Sequence, residues 1–94
     1  PVYEFMEVKD DKAIVYFSHA SNGMISKNGA LKGFTIAGAD GNFVSAKAEI
    51  KNNTVIVSNP NVKKPVAVRY GWANVPDVNL YNKANLPASP FKTD

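Results

Sequence analysis

The sequence predicts an all-β fold, a small antiparallel β-sandwich of the immunoglobulin-like or jelly-roll type, on three observations. Short runs rich in β-branched and aromatic residues recur throughout residues 1–72. Clusters of Asn, Asp, Ser and Gly separate these runs, and no segment shows the apolar spacing of a helix. Residues 73–94 are instead rich in Asn and Pro and predict a long irregular C-terminal strap. Six or seven short strands separated by turns are typical of such sandwiches.

The first two predicted strands lie at the start of the chain. Val2 to Val8 (VYEFMEV) forms the first strand, and Asp10-Asp11 ends it as a polar turn. Lys12 to His19 (KAIVYFSH) follows and contains a consecutive run of large apolar residues. Such a run predicts a central strand that is covered on both faces.

The next predicted strands are joined by a tight turn. Leu31 to Gly38 carries Phe34 and Ile36 on one face, and we expect both in the core. Asp40-Gly41 predicts the turn, since Gly tolerates the positive φ that tight turns require. The segment after it, NFVSAKAEI, alternates and predicts a half-buried antiparallel strand. Its expected core-facing residues are Val44, Ala46, Ala48 and Ile50.

Two further strands complete the predicted sandwich, Thr54 to Ser58 and Val66 to Trp72. The turn before the first of them is Asn52-Asn53, and a loop containing two Pro residues separates the two strands. Asn52-Asn53-Thr54 also fits a glycosylation sequon, but an ordinary hairpin turn explains the same residues.

Length and composition limit the classes of function. The 94 residues suffice for one small core, so we expect residues 1–94 to form a single domain. There is no Cys, and the net charge of +3 includes no basic cluster larger than Lys63-Lys64. We therefore expect no disulfide, no thiolate metal site and no nucleic-acid partner. No apolar run approaches the roughly 20 residues of a membrane span, and a chain that begins at Pro1 is expected to be a fragment of a longer protein.

Signatures of an enzyme or of a cofactor site are weak. His19 is the sole imidazole and follows Ser18, but adjacent strand residues point to opposite faces and should not form a catalytic dyad. The glycines match neither a dinucleotide fingerprint nor a phosphate-binding loop, and the carboxylates lack metal-ligand spacing. The residues alone therefore predict no catalytic site, no metal and no cofactor.

Aromatic and polar residues near the end of the chain could form a sugar-binding site. Such sites pair an aromatic wall with a few placed polar groups. The alternative is that Trp72 and Tyr81 fill the end of the core or contact another domain. This is the commoner role of such rings. The candidate set is Trp72, Asn74, Asp77, Asn79 and Tyr81.

The run from Pro65 to Asp94 resembles the carboxyl terminus of sialate O-acetylesterase-like proteins, the bacterial carbohydrate esterases related to sialic acid-specific 9-O-acetylesterases. In that family the chain ends with a strand like AVRYGW, then NLYN, then LPASPFRTD. Here the pieces stand at Val66 to Trp72, Asn79 to Asn82 and Leu86 to Asp94. Lys92 replaces the more usual Arg. PVYEFMEV and GALKGFTIAGADGNFVSAKAEI are also similar to family segments, so the resemblance covers nearly the whole chain.

The resemblance implies a parent chain with an activity that these residues lack. Family members are SGNH-type serine esterases, in which a Ser in a G-Q-S-like motif attacks an acetyl carbonyl and a His in a D-x-x-H-like motif acts as base. Neither motif occurs in this sequence. The resemblance implies a periplasmic or secreted parent that removes O-acetyl groups from sialic acid or a related sugar, without metal or cofactor.

The leading hypothesis is a non-catalytic C-terminal β-sandwich that docks on and stabilises the SGNH catalytic domain of its own parent chain. Two alternatives stay open, namely a carbohydrate-binding module that uses Trp72 and Tyr81, and an immunoglobulin-like adhesion domain. Under the leading hypothesis the strap packs over the sandwich and onto the catalytic domain. We then expect the chain alone to expose part of an apolar patch from Leu80 to Phe91 and to self-associate through it, with Phe91 as a candidate interdomain or sugar contact.

Overall fold

The computed structural model describes residues 1–73 and 76–94. Within these residues the fold is all-β, as predicted, with two four-stranded antiparallel sheets and one two-stranded ribbon. The same residues contain no helix with the length and apolar character needed to cross a membrane. The strands are β1 (Val2–Lys9), β2 (Lys12–Ser18), β3 (Met24–Ser26), β4 (Phe34–Ala37), β5 (Val44–Ser45), β6 (Lys47–Lys51), β7 (Thr54–Ser58), β8 (Ala67–Tyr70), β9 (Leu80–Asn82) and β10 (Phe91–Lys92).

The first sheet has the strand order β1-β2-β7-β6. Because β2 pairs with both β1 and β7, the prediction that it is a central strand is confirmed. Asp10 and Asn52 adopt φ angles of 57° in the turns that join β1 to β2 and β6 to β7. Asn and Asp tolerate this left-handed conformation better than most L-residues. These turns help to fix the register in which inward and outward side chains alternate.

The second sheet has the order β10-β8-β4-β5, and β3 pairs with β9 in the separate ribbon. The alternating segment after Gly41 does not form one strand, because β5 pairs in the second sheet whereas β6 pairs in the first. Between them, the Ala46 amide donates to the Phe34 carbonyl at 3.0 Å. Ala48 and Ile50 are half-buried, as predicted, but Val44 is exposed on the edge strand. The chain therefore changes sheets at Ala46 and links the two layers.

The core lies between the inward faces of the two sheets. Phe34 and Ile36 are buried, as predicted, and the rings of Phe34 and Tyr70 lie 4.6 Å apart. The Cα radius of gyration is 12.2 Å, close to the value of about 12 Å expected for a compact domain of this length. The other buried apolar residues are Ala13, Val15, Phe17, Ala20, Met24, Ala37, Val55, Val57, Ala67, Val68, Leu80, Ala88 and Phe91.

The strap is mostly irregular, but it is built into the sandwich. Its two short strands are β9, which pairs with β3, and β10, which pairs with β8. The Ala88 amide donates to the Leu80 carbonyl at 2.9 Å. Leu80 is 1% exposed and Phe91 is 7% exposed, so both ends of the expected apolar patch are buried and the patch does not extend from Leu80 to Phe91. The physical reason is that these strap side chains fill the core of the chain's own sandwich. Leu86, which is 60% exposed, is a large apolar residue of the segment that does face solvent.

Candidate functional surfaces

Trp72 lies just beyond β8 and is 53% exposed, so it does not fill the core. Gly71, with a φ angle of 67°, changes the direction of the chain between β8 and the indole. The Lys92 ammonium lies 5.0 Å from the centre of the indole ring. This arrangement leaves an aromatic ring and a cation at the surface beside the second sheet.

An open depression of about 420 Å³ adjoins Trp72. Asp77 and Lys32 both line it, and the Asp77 carboxylate lies 3.8 Å from the Lys32 ammonium. Both side chains are exposed, so this ion pair contributes little to stability. Gly33 forms part of the wall, where a Cβ atom would lie 2.7 Å from the Val78 side chain. The depression thus offers an indole, a carboxylate and an ammonium to a polar ligand.

Asn79 does not face this depression, although the sequence predicts it as a sugar contact. Its side chain is 7% exposed, and its carbonyl oxygen accepts a hydrogen bond from the Lys32 amide at 2.7 Å. Its amide group donates to the carbonyl oxygens of Lys27 and Ala30 at 2.7 and 2.9 Å. The Asn79 side chain is therefore used to hold the loop after β3 in place. Asn74, another predicted contact, lies outside the described residues.

Tyr81 lies on β9 and is half-buried. The Lys27 ammonium lies 3.9 Å from the centre of its ring, and Ile25 is its partner on β3. It does not line the depression beside Trp72. The structure therefore brings Trp72 and Asp77 together but not Tyr81, so the predicted five-residue set does not converge on one site.

Phe91 is a core residue and does not offer an interdomain contact. Its ring stacks on Tyr3 with centroids 4.7 Å apart and an interplanar angle of 4°. It meets the edge of Phe17 at 5.7 Å, and it lies 6.3 Å from Phe34 and 6.1 Å from Tyr70. Because the contacting rings come from both sheets, Phe91 ties the end of the strap to the two layers at once.

Ser18 and His19 are engaged separately at the end of β2. The Ser18 hydroxyl donates to the Val2 carbonyl at 3.4 Å. His19 is exposed, has a φ angle of 55°, and its carbonyl accepts from the Asn82 side chain at 3.4 Å. Residues 1–73 and 76–94 also contain no group of three or more His, Cys, Asp or Glu side chains placed to hold a metal ion.

An apolar surface that the sequence did not reveal lies on the outward face of the first sheet. We call it the outer patch and define it by Phe5, Ile14, Tyr16 and Ile56. Phe5 pairs with Tyr16, and Ile14 pairs with Ile56, so all four side chains share this face. The rings of Phe5 and Tyr16 stack with centroids 4.4 Å apart, and Phe5 is 50% exposed. Ile14 and Tyr16 are half-buried, so the expected covering of β2 on both faces is incomplete.

The outward face of the second sheet is polar by comparison. Thr35, Ser45, Arg69 and Lys92 share it through strand pairing. The Arg69 guanidinium bonds both carboxylate oxygens of Asp94, at 2.6 and 3.2 Å, and lies 3.8 Å from the centre of the Phe43 ring. The hydrogen bonds from Arg69 hold the pKa of Asp94 below its usual value. The four paired residues of this face are therefore polar or charged, whereas the four residues of the outer patch are apolar or aromatic.

The whole chain is similar to part of a solved structure, the crystal structure of a carbohydrate acetylesterase from Xanthomonas citri. The TM-score is 0.94 and the sequence identity is 44%. The match covers 100% of this chain and 22% of that chain, so this chain spans about a fifth of the length of that enzyme. No protein-family model and no curated protein matches the chain. The structural match supports a relation to carbohydrate esterases.

Proposed function

We propose that this chain is the non-catalytic C-terminal β-sandwich of a carbohydrate O-acetylesterase, and that it docks on and stabilises the catalytic domain. The observation that carries the proposal is the full-length match to 22% of a carbohydrate acetylesterase at 44% identity. A match of this size leaves the greater part of that enzyme outside the sandwich. The proposal therefore assigns the ester chemistry to that other part.

The finer features of the proposed parent enzyme come from the resemblance of Asn79 to Asn82 and Leu86 to Asp94 to sialate O-acetylesterase-like proteins. We take the parent to be an SGNH-type serine esterase of the periplasm or the extracellular space. Its reaction removes O-acetyl groups from sialic acid or a related sugar through an acetyl-enzyme. The sandwich contributes to this reaction by supporting the catalytic domain.

The geometry at the end of β2 supports a non-catalytic role. Acyl transfer requires a nucleophile within hydrogen-bond reach of a base that a third group orients. The Ser18 hydroxyl instead donates to the Val2 carbonyl on the neighbouring strand. His19 lies just beyond the end of β2, and its backbone adopts the left-handed conformation.

Hydrolysis of an aryl acetate tests the non-catalytic assignment. We expect the purified chain to give the rate of the buffer blank, and Ser18→Ala to give the same rate. The complete enzyme, read from the gene upstream of Pro1, is expected to hydrolyse the ester. A rate above the blank that co-purifies with the chain and disappears in Ser18→Ala would contradict the assignment.

A second candidate function, sugar binding, is favoured by the exposure of Trp72 beside Asp77 and Lys32. An indole face and a few polar groups are what a pyranose ring requires. Calorimetric titration with sialylated and plant oligosaccharides tests it, with Trp72→Ala as the variant and Leu86→Ala as the matched exposed control. Saturable heat that Trp72→Ala abolishes and Leu86→Ala retains would establish binding, and heat of dilution alone would exclude it for these sugars.

A further inference from the structure

The two outward faces of the sandwich are built differently. The second sheet presents Thr35, Ser45, Arg69 and Lys92, which suit contact with water. The first sheet presents the outer patch at its centre, where an antiparallel sheet with one solvated face normally carries polar side chains. Apolar and aromatic side chains that lie side by side at the surface, rather than singly, are typical of interaction sites.

The composition of the outer patch suits a protein partner. Its four side chains lie in two directly opposed pairs across β1, β2 and β7, which makes a continuous surface. Desolvation raises the pKa of Tyr16, and the nearby Glu7 carboxylate adds to the effect. Glu49 and Lys51, on the same face of β6, add charges of both signs at the edge. An apolar centre with a charged rim is the usual anatomy of a protein interface.

The position of the outer patch indicates which partner covers it. Phe5 lies on β1, the first strand, and Val2 on the same face is 46% exposed. Any polypeptide that precedes Pro1 therefore enters the fold beside the patch. In the similar acetylesterase the greater part of the chain lies outside the matched 22%. Under the proposed C-terminal position that greater part precedes this chain and is linked to it beside the patch, and the linkage raises its effective concentration at the patch.

We propose that the outer patch is the surface through which this sandwich docks on the catalytic part of its own esterase chain. This inference rests on the proposed function and adds the surface that carries it. The sequence predicts the strap as the docking element. Leu80 and Phe91 of the strap are instead buried in the core of the same sandwich. The first sheet, rather than the strap, thus supplies the apolar contact with the catalytic part.

Hydroxyl-radical footprinting of the complete enzyme and of the 94-residue chain tests the inference. We expect the oxidation rates of Phe5 and Tyr16 to fall several-fold in the complete enzyme, because an interface core excludes water. Leu86, on the strap and 60% exposed, is the internal control and is expected to oxidise at similar rates in both. Equal rates for Phe5 in the two proteins would overturn the inference.

A pair of variants gives a second readout. Phe5→Ser is expected to lower the Tm of the complete enzyme by more than it lowers the Tm of the chain alone. Leu86→Ser, also at an exposed apolar position, is expected to give the same small change in both proteins. Equal Tm changes for Phe5→Ser in both proteins would count against docking through the patch, whatever the effect on the isolated fold.

The outcomes separate this inference from the proposed function. If the complete enzyme hydrolyses aryl acetates but Phe5 and Tyr16 remain unprotected, the patch assignment fails and the proposed function stands. If the gene upstream of Pro1 encodes no esterase, both fail. Protection of Phe5 that appears in the isolated chain at high concentration, together with dimer formation, would assign the patch to a second copy and overturn the inference.

Discussion

Removal of the Phe91 ring should destabilise the whole sandwich, because this residue joins the strap to both sheets. The perturbation is Phe91→Ala, which deletes a side chain that is 7% exposed and contacts the rings of Tyr3 and Phe17. If the strap were an independent tail, the substitution would have little effect on unfolding. The variant therefore distinguishes a structural strap from an accessory one.

The magnitude follows from the buried surface and the aromatic contacts. Burial of an aromatic side chain removes roughly 150 to 250 Å² from water, which at about 25 cal/mol/Å² contributes on the order of 4 to 6 kcal/mol. Measured substitutions of buried Phe by Ala cost about 3 to 5 kcal/mol, a sum of the lost transfer free energy and the cost of the cavity that incomplete relaxation leaves. We expect a loss of about 4 kcal/mol for Phe91→Ala, which is a large share of the roughly 5 to 14 kcal/mol available to a domain of this length.

Urea denaturation followed by intrinsic fluorescence measures this loss. With an m-value of about 1.5 kcal/mol/M, the midpoint for Phe91→Ala should fall by roughly 2 to 3 M. Leu86→Ala is the matched control in the same strap, and its exposed side chain should cost less than about 0.5 kcal/mol. A loss below about 1 kcal/mol for Phe91→Ala, or equal losses for the two variants, would refute the assignment of the strap to the core.

Three further predictions concern hydrogen bonds and charge. Tyr70→Phe removes the hydroxyl that accepts the Leu80 amide at 2.9 Å, and the unsatisfied buried donor should cost about 1 to 3 kcal/mol in urea denaturation. Asn79→Ala removes three hydrogen bonds to the loop after β3, which should speed proteolytic cleavage of that loop. Asp94→Asn should lower the Tm at pH 7 because it removes the charge partner of Arg69. Since the folded pKa of Asp94 is lowered, its contribution is present above the unfolded pKa and is lost as the pH falls through the folded value.

Each of these predictions has an outcome that contradicts it. Unchanged stability of Tyr70→Phe would mean that the Leu80 amide finds another acceptor. A loop that is cleaved at the wild-type rate in Asn79→Ala would show that the side chain does not hold it. For Asp94→Asn, a Tm difference from the wild type that persists at pH values below the folded pKa of Asp94 would show that the effect is not electrostatic.

The sequence correctly predicted the buried face of β4 and the central place of β2. The alternation in Leu31 to Gly38 correctly placed Phe34 and Ile36 in the core, and the apolar run of β2 correctly predicted a central strand. Local pattern could not show that the segment around Ala46 changes sheets, because both halves keep the same period of two. The switch depends on pairing partners that lie far away in sequence.

The strap and the outer patch were predicted less well for a related reason. Pro and Asn around Leu80 and Phe91 suggest a loop, but burial depends on whether the sandwich has space for those side chains. The apolar run that contains Tyr16 likewise predicts a strand buried on both faces. In the structure the outward face of this strand is partly open to solvent. The residues of the predicted sugar site do not all face one surface. Asn79, for example, uses its side chain for hydrogen bonds to the loop after β3. In the strap, the outer patch and the sugar site, strand pairing and burial determined the position of the side chains, and residue type alone did not.

Hydrogen exchange at the Phe17 amide, compared in the isolated chain and in the complete enzyme, tests the central claim most directly. This amide of β2 donates at 3.1 Å to the carbonyl of Asn53, in the turn between β6 and β7 of the sheet that carries the outer patch. Its exchange reports the free energy of opening of the sandwich. Docking predicts markedly slower exchange in the complete enzyme, because the catalytic part binds the folded sandwich and not the unfolded chain. The same exchange rate in both proteins would contradict the claim that this domain docks on a catalytic partner and is stabilised by it.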